Sequence, residues 1–443
     1  MSSINLFATD LRDRIARGEL SAENVVRSCL ERIDATESEL RAWAHLDRDA
    51  ALNHAKRLDG YRASGHPLGP LHGVPVGIKD SIDTADMPTE RGTVIDAGRR
   101  PSQDAVVVSR LRAAGAVILG KTACTELSYF TPVETRNPHD PRRTPGGSSS
   151  GSAAAVAAGH VPLAVGTQTA DSVIRPASFC GIVGFKPSHG LVPRTGILMQ
   201  APPLDTVGAF GRTVEDAALL ADVLAGYDPG DPDTRPIAPP RLLELASGRP
   251  PVRPDLAFVK GPVWDRAAPE TQQGFAELVE ALSEACDTVD LPDAFGQAEA
   301  AHRQLMTTGF ARNLRPYYER HHDAVSEVVR RTIEEGRDVK AVDYLTALDW
   351  REVLNDGLER IFERYDALIT PAAIGEAPLG LETTGNPAFC VLWTFCGVPT
   401  VSLPLLQGPN GLPVGVQLVG RRGHDGRLLR TARWLTDYLS KAD

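Results

Sequence analysis

Gly146-Gly147-Ser148-Ser149-Ser150-Gly151-Ser152 opens a segment that runs through Gly166-Thr167-Gln168-Thr169-Ala170-Asp171-Ser172 to Val173-Ile174-Arg175-Pro176. Ser152 to Ala158 is nearly all alanine, the best helix former, and Gly159 is a natural stop. Val161 to Val165 reads as a buried strand, the turn at Ser172 follows, and Gly181 to Phe185 reads as another strand. Helix and strand at this short spacing predict an α/β layered fold with a largely buried sheet. Two kinds of chemistry use such a segment: glycine-freed N–H groups that cradle an anion, or a serine in a tight turn with N–H groups placed for an oxyanion.

Upstream, Ser21 is a good N-cap, and Val25, Val26, Cys29, Leu30 and Ile33 share one helical face over about 22–35. A second helix is expected from Arg48 to Arg62. These make an N-terminal helical arm, 1–65. It leads into Gly73-Val74-Pro75-Val76-Gly77-Ile78-Lys79-Asp80, an apolar strand that ends on a lysine. Asp104 is expected to cap a helix carrying Val107, Val108 and Leu111, ended by Gly115 before a strand at Ala116 to Leu119. Residues 131–147 have no hydrophobic period and read as an ordered loop.

Downstream, Thr213 with Asp216 predicts a capped helix through Leu224. Residues 227–254, dense in Pro, Asp and Arg, read as a surface connection between two halves of the sheet. From 269 to 365 the pattern is mostly helical and is expected to be an insertion packed over the sheet. Strands return at Ala367 to Thr370, Thr400 to Leu405 and Val414 to Val419, before a last helix with Leu428, Leu429, Ala432 and Leu435. No repeat or linker divides the chain, so a single domain over 1–443 is expected, with its core at 66–225.

At 443 residues with 42% hydrophobic content the chain can fill a sizeable core. A net charge of −10 without a dense basic cluster argues against nucleic acid as the principal partner. Asp10, Arg12, Asp13 and Arg14 leave no apolar signal core near the start, and no run of about 18 apolar residues predicts a membrane span. Six widely spaced cysteines without a CxxC pair read as buried free thiols in a reducing, cytoplasmic setting.

A phosphate-binding P-loop needs Gly-Lys-Ser or Gly-Lys-Thr, and no lysine lies between Lys121 and Lys186. Gly147-Ser148-Ser149-Ser150-Gly151 matches a G-x-S-x-G elbow with Ser149 central and His189, His302 and His424 downstream. That elbow follows a buried strand, whereas this one follows Pro138, Pro141, Arg142, Arg143 and Pro145. By themselves, the glycines and serines also suit a plain turn and helix cap.

Taken with Gly73 to Asp80, the segments Gly146 to Gly159 and Gly166 to Pro176 closely resemble the amidase signature family, serine hydrolases with a Ser-cisSer-Lys triad. Leu71-His72-Gly73-Val74-Pro75, Gly120-Lys121-Thr122, Gly184-Phe185-Lys186-Pro187, Gly397-Val398-Pro399 and Gly411-Leu412-Pro413-Val414-Gly415 are similar to it as well, so the likeness covers nearly the whole chain. The resemblance implies a large mixed, twisted sheet covered by helices on both faces. It implies Ser148 as the cis-serine, Ser172, 24 positions on, as the nucleophile, and Lys79 as the base. It also places the backbone N–H groups of Thr169, Ala170, Asp171 and Ser172 around the oxyanion.

The chemistry is coherent. A serine needs a base, and a lysine serves as one only where desolvation lowers its pKa. Lys121 is left structural, and His72, His160 and His189 are expected to be satisfied or solvated imidazoles. The implied reaction is hydrolysis of a carboxylic amide, with aryl amides, carbamates, hydrazides and esters as further substrates and no metal or organic cofactor. Met87, Tyr129 and Phe130 are candidates for an apolar substrate pocket, against a plain core role. The glutaminase component of a tRNA-dependent amidotransferase shares the signature and stays open as a second reading. A small amide-type substrate is the expected partner, and a homodimer is left open.

The serine turn departs from the family's Gly-Thr-Asp-Thr-Gly-Gly-Ser. Gln168 replaces a carboxylate, Arg175 is displaced by one position, and Asp171 stands where glycine is usual. Aimed inward, Asp171 would oppose the oxyanion and raise the pKa of Lys79; paired outward with Arg175, it would do little. A weakly active or inactive enzyme is the third reading, and Asp171→Gly is expected to raise the rate.

Overall fold

The computed structural model describes residues 7–441; Met1 to Leu6, at the start of the expected N-terminal arm, and the last two residues lie outside the described residues. In chain order the strands are β1 Trp43–Leu46, β2 Pro75–Lys79, β3 Val117–Thr122, β4 Leu163–Gln168, β5 Val183–Lys186 and β6 Thr206–Gly211. They continue as β7 Leu256–Val259, β8 Cys286–Val289, β9 Ala367–Pro371, β10 Thr400–Gln407 and β11 Pro413–Val419. All join one 11-stranded sheet in the order β1-β3-β2-β4-β6-β5-β10-β11-β9-β7-β8. The sheet is mixed: β2 runs parallel to β3 and β4, β7 parallel to β8 and β9, and the junction from β4 through β6, β5, β10 and β11 to β9 is antiparallel.

Both faces are apolar, as a sheet covered by helices on both sides requires. Val76 and Ile78 of β2 and Leu163 and Val165 of β4 enter one cluster, with Leu219 and Leu220 of the helix Val214–Leu224 and Leu428 and Leu429 of the helix Asp425–Leu439. Ala164 and Phe210 point the other way, into a cluster with Val26 and Ile33 of the helix Ala22–Leu40 and with the alanines of the helix Ser150–Ala157. A third cluster lies under the insertion, where Leu305 and Phe310 meet Leu354, Leu358 and Leu368.

Local signals place several helices correctly. The Ser21 side chain accepts the Asn24 N–H and that of Thr213 accepts the Asp216 N–H, both at 3.1 Å, caps worth about 1 kcal/mol each. Asp104 is not the cap of the helix Val106–Ala113; its carboxylate accepts instead from the Ala85 N–H at 2.8 Å and from Arg112 Nε at 2.9 Å. The strand expected at Val161 to Val165 starts at Leu163 and runs on to Gln168, which brings it to the serine turn. Between that turn and β5 the chain forms a helix, Ile174–Cys180, that the sequence does not announce. All seven of its residues are buried, Arg175 and Ser178 included, so it has no water-facing side to give a clear period, and Pro176 sits in its first turn, where a missing N–H costs little. The 227–254 connection holds a short helix, Leu242–Ser247, and the helical stretch 269–365 also supplies the edge strand β8.

Candidate active site

Parallel pairing of β2 with β4, with Ile78 opposite Val165, brings the ends of the two strands side by side. Lys79 closes β2, wholly buried, and its Nζ donates to Ser148 Oγ at 2.7 Å and to Thr167 Oγ1 at 2.7 Å. Burial drives the Lys79 pKa down to about 8, against the opposing pull of Cys124, Asp205 and Asp171.

Ser148 is presented by the glycine loop that precedes the helix Ser150–Ala157, with a cis peptide between Gly147 and Ser148. Side chains are excluded there: a Cβ on Gly147 would lie 2.8 Å from Thr384 Cγ2, and Gly146 has φ 84° with Pro176 2.9 Å from its would-be Cβ. Ser149, centre of the G-x-S-x-G match, is fully buried, and its Oγ is spent on the β4 backbone, donating to Thr167 O at 3.2 Å and accepting the Thr167 N–H at 3.3 Å. The Ser150 hydroxyl donates to Gly146 O at 2.7 Å.

Ser172 lies in the turn between β4 and the helix Ile174–Cys180, and that turn is clamped at its carbonyls. His302 Nε2 meets Thr169 O at 2.9 Å, and Thr394 Oγ1 donates to Ala170 O at 2.6 Å. Thr169 Oγ1 reaches Asp205 Oδ1 at 2.6 Å and Gln200 Oε1 at 2.7 Å. Gln168 Oε1 accepts the N–H groups of Val173 and Ile174 at 2.8 and 3.0 Å. Among the described residues, no hydrogen bond takes the backbone N–H of Thr169, Ala170 or Ser172. A tied-down turn with unspent N–H groups is what oxyanion stabilisation requires.

A sequence model of the Amidase family matches residues 24–429. The chain belongs to the amidase family. Among curated proteins it is 35% identical to a glutamyl-tRNA(Gln) amidotransferase subunit of Chloroflexus aurantiacus, over 96% of this chain and 95% of that one. It is 36% identical to the subunit of the same name from Symbiobacterium thermophilum, over 98% and 97%. Among solved structures, a chain from a vestigial protein complex bearing on the origins of an s-triazine catabolic enzyme superposes with a TM-score of 0.90, at 30% identity and 98% coverage of both chains. The peptide amidase of Stenotrophomonas maltophilia gives 0.84 at 29% identity, covering 98% and 96%. The α/β fold with its mixed sheet is thus that of amidase signature enzymes, and this is an amidase-family enzyme of C–N bonds.

Against that family pattern the Asp171 side chain takes a defined place. It is buried, with Oδ2 2.8 Å from Arg175 Nε, one helical turn on. Among the described residues neither carboxylate oxygen meets a hydrogen-bond donor in line, so the contact is an ion pair whose N–H is not aimed at the acceptor. Burial pushes the Asp171 pKa up to about 6, opposed first by Arg175. The guanidinium is otherwise well held: Nη2 donates to Gly147 O at 2.9 Å and Thr384 Oγ1 at 3.1 Å, Nη1 to Gly385 O, and Phe130 lies under it, 5.7 Å from Cζ to ring centroid.

Of the other candidates, Met87 is buried in the largest apolar cluster, and Tyr129 packs 4.5 Å from the Phe310 ring with its hydroxyl accepting from Thr332 Oγ1. Phe130 is half-buried. Lys121 Nζ donates to Ile82 O and Thr89 Oγ1, both at 2.6 Å. His72, His160 and His189 each have a ring-nitrogen partner, respectively Leu58 O, Thr36 Oγ1 and Pro202 O. Thr167 and Thr394 escape sequence reasoning, and His302, offered there only as a downstream histidine for the Ser149 elbow, instead holds the Thr169 carbonyl: Thr167 is one hydroxyl within a motif, and the other two arrive from more than a hundred residues away in sequence. No cluster of three or more His, Cys, Asp or Glu suited to a metal ion exists among the described residues.

Proposed function

We propose that the chain hydrolyses a linear carboxylic amide through an acyl-enzyme on Ser172. Neutral Lys79 takes the Ser172 proton through Ser148 as Oγ bonds to the carbonyl carbon, and the oxyanion is received by the N–H groups of Thr169 to Ser172. As the C–N bond breaks, the proton returns along the same path to the leaving amine, and water then cleaves the ester. The observation that carries this reading is the Lys79 Nζ–Ser148 Oγ contact of 2.7 Å at a site where burial brings the lysine pKa to about 8.

A cavity of about 250 Å³ against the two helices that carry His302 and Thr394, lined by Phe295, Leu392 and Trp393 with Lys260, Arg266 and Glu299 at its polar side, suits the apolar part of an aryl amide or related carbamate, hydrazide or ester. Phe130, over Arg175, is retained as a pocket residue; Met87 and Tyr129 are packed within apolar clusters.

The test is a fluorophosphonate probe followed by peptide mapping, with a panel of amides, carbamates and esters assayed in parallel. Labelling is expected on Ser172, with turnover of at least one amide. Labelling retained in Ser172→Ala but lost in Ser149→Ala overturns the assignment, and a folded protein that is neither labelled nor active is a binding protein rather than an enzyme. The second reading, the glutaminase component of an amidotransferase, is favoured by the names of the curated relatives; ammonia release from glutamine, or co-purification with a second polypeptide, selects it over a free-standing amidase.

A further inference from the structure

Away from Lys79 and Ser148, the loop after β5, the 232–240 segment and the start of the helix Asp425–Leu439 enclose a cavity of about 760 Å³. In a chain of net charge −10, its wall gathers Arg235, Arg422, Arg427 and Arg430 against only two carboxylates, Asp233 and Asp425. Both carboxylates are already engaged. Asp425 accepts the Ser188 N–H at 2.7 Å and the Ser188 hydroxyl at 2.6 Å, and Asp233 is paired with Arg194. Arg427 is held by Asp366, with Nε 2.7 Å from Oδ1. Among the described residues, no ion pair or hydrogen bond engages the guanidinium of Arg235, Arg422 or Arg430.

Two further features sharpen the sign of this cavity. The helix of 15 residues begins at its wall, where Gly426 and Arg427 line it, so the positive end of the backbone dipole faces in. Behind the wall stands Arg351, buried, with Nε and Nη2 lacking any hydrogen-bond partner among the described residues. A Cβ built on Gly397 would lie 2.4 Å from Arg351 Nη2 and 3.1 Å from His189 Cβ, so Arg351 backs onto the His189 side of the cavity. Burial, then Arg351 and Arg194, hold His189 neutral by taking its pKa to about 3. The remaining wall is apolar: Leu191 is buried, while Leu245 and Ile237 stay 37% and 57% exposed.

We infer that this cavity binds a small organic anion, its carboxylate or phosphate head on Arg422, Arg430 and Arg235 and its apolar body against Leu191, Ile237 and Leu245. Guanidinium forks suit planar or tetrahedral oxyanions, and a volume within about 300–1,000 Å³ suits a small molecule. The site is separate from the serine centre, and the inference does not depend on which bond that centre breaks.

The experiment is calorimetric titration of the full chain carrying Ser172→Ala with benzoate, phenyl phosphate and neutral benzyl alcohol. One of the two anions is expected to bind with a Kd of about 1 mM or tighter, at least about tenfold more weakly in R422Q/R430Q, and the alcohol not to bind. Preference for phenyl phosphate over benzoate assigns a phosphate head, and the reverse a carboxylate. Because these arginines hold no described partner, the double variant is expected to keep the urea midpoint of its parent. Phenylglyoxal mapping of the unsubstituted chain gives an independent reading, in which the anion shields Arg422 and Arg430 but not the exposed Arg57. Absence of binding by both anions, equal binding by the double variant or by the alcohol, or modification of Arg422 and Arg430 that is the same with and without anion overturns the inference.

Discussion

Three lysines of this protein, Lys79, Lys121 and Lys186, are buried at the ends of strands, and burial lowers their pKa values to about 8, 8 and 7. Titration therefore does not distinguish the proposed base from the other two lysines; its contact does. Lys121 and Lys186 donate to backbone carbonyls and, for Lys121, to Thr89, whereas Lys79 reaches Ser148. Lys79→Met is expected to lower kcat/KM by about a thousandfold or more, while Lys186→Met keeps most activity. With the neutral amine as the working form in the proposed mechanism, kcat/KM is expected to rise with pH on a limb near 8, absent in Lys79→Met. Asp171 favours the charged form of Lys79, so Asp171→Gly moves that limb to lower pH. With a pKa of about 8 only about a tenth of Lys79 is neutral at pH 7, so the gain there is bounded at about tenfold and vanishes above the limb. The same substitution strips Arg175 of one of its partners, so unfolding stability should fall by the lower end of the about 3–5 kcal/mol typical of a broken buried pair. A pH-rate profile with parallel urea titration checks both signs, and an equal or slower glycine variant removes the argument. Lys79, Ser148 and Ser172, the proposed chemical residues, could be picked out in the sequence because each sits in a motif, and pairing of Asp171 with Arg175 was one of the two placements the sequence offered; that the pair is buried follows only once the helix Ile174–Cys180 is seen.

At the scale of elements, the serine turn is held by pieces that the chain brings from afar: His302 on the helix Ala298–Asn313 and Thr394 on the helix Ala388–Cys396. Burial lowers the His302 pKa to about 4, so at neutral pH the ring is uncharged and donates its Nε2 proton to the Thr169 carbonyl. It is a positioning residue. His302→Ala is expected to reduce kcat by about three- to tenfold, the worth of one neutral hydrogen bond, with KM and the pH limb unchanged. His302→Gln, which keeps a donor, should recover part of the loss. Normalising rates to the fluorophosphonate-reactive fraction separates this from misfolding; a change in KM alone would assign His302 to substrate binding instead. Such clamps were not readable in advance for the same reason that Ala388–Cys396 was not: all nine of its residues are buried, and a helix apolar all round carries no period. The amphipathic helices at 22–40 and 48–63, with capping side chains at Ser21 and Asp47, were readable because one face meets water.

At the scale of the molecule, strand order was the least legible property. The last two strands, β10 and β11, enter the middle of the sheet between β5 and β9, so sequence-distant segments share one core, and no local pattern encodes that choice. A consequence is that many titratable groups are buried together, and their signs oppose. The three lysines have folded pKa values below the ordinary 10.5, so the unfolded chain binds more protons from about pH 7 to 10 and stability rises with pH across that window. The buried cysteines are pushed the other way, Cys29, Cys124 and Cys396 to about 12 and Cys286 to about 11 from an ordinary 9.0. Above pH 9 the unfolded chain loses those protons first, so their contribution falls as pH rises. The urea midpoint is therefore expected to climb from pH 7, reach a maximum near pH 9 and decline beyond it. Lys186→Met, which removes the lysine whose pKa lies lowest, should flatten the rising limb and leave the falling one in place. A midpoint that declines steadily from pH 7 to 9 would mean that these lysines stay charged in the folded protein, and would remove the neutral Lys79 on which the proposed chemistry depends.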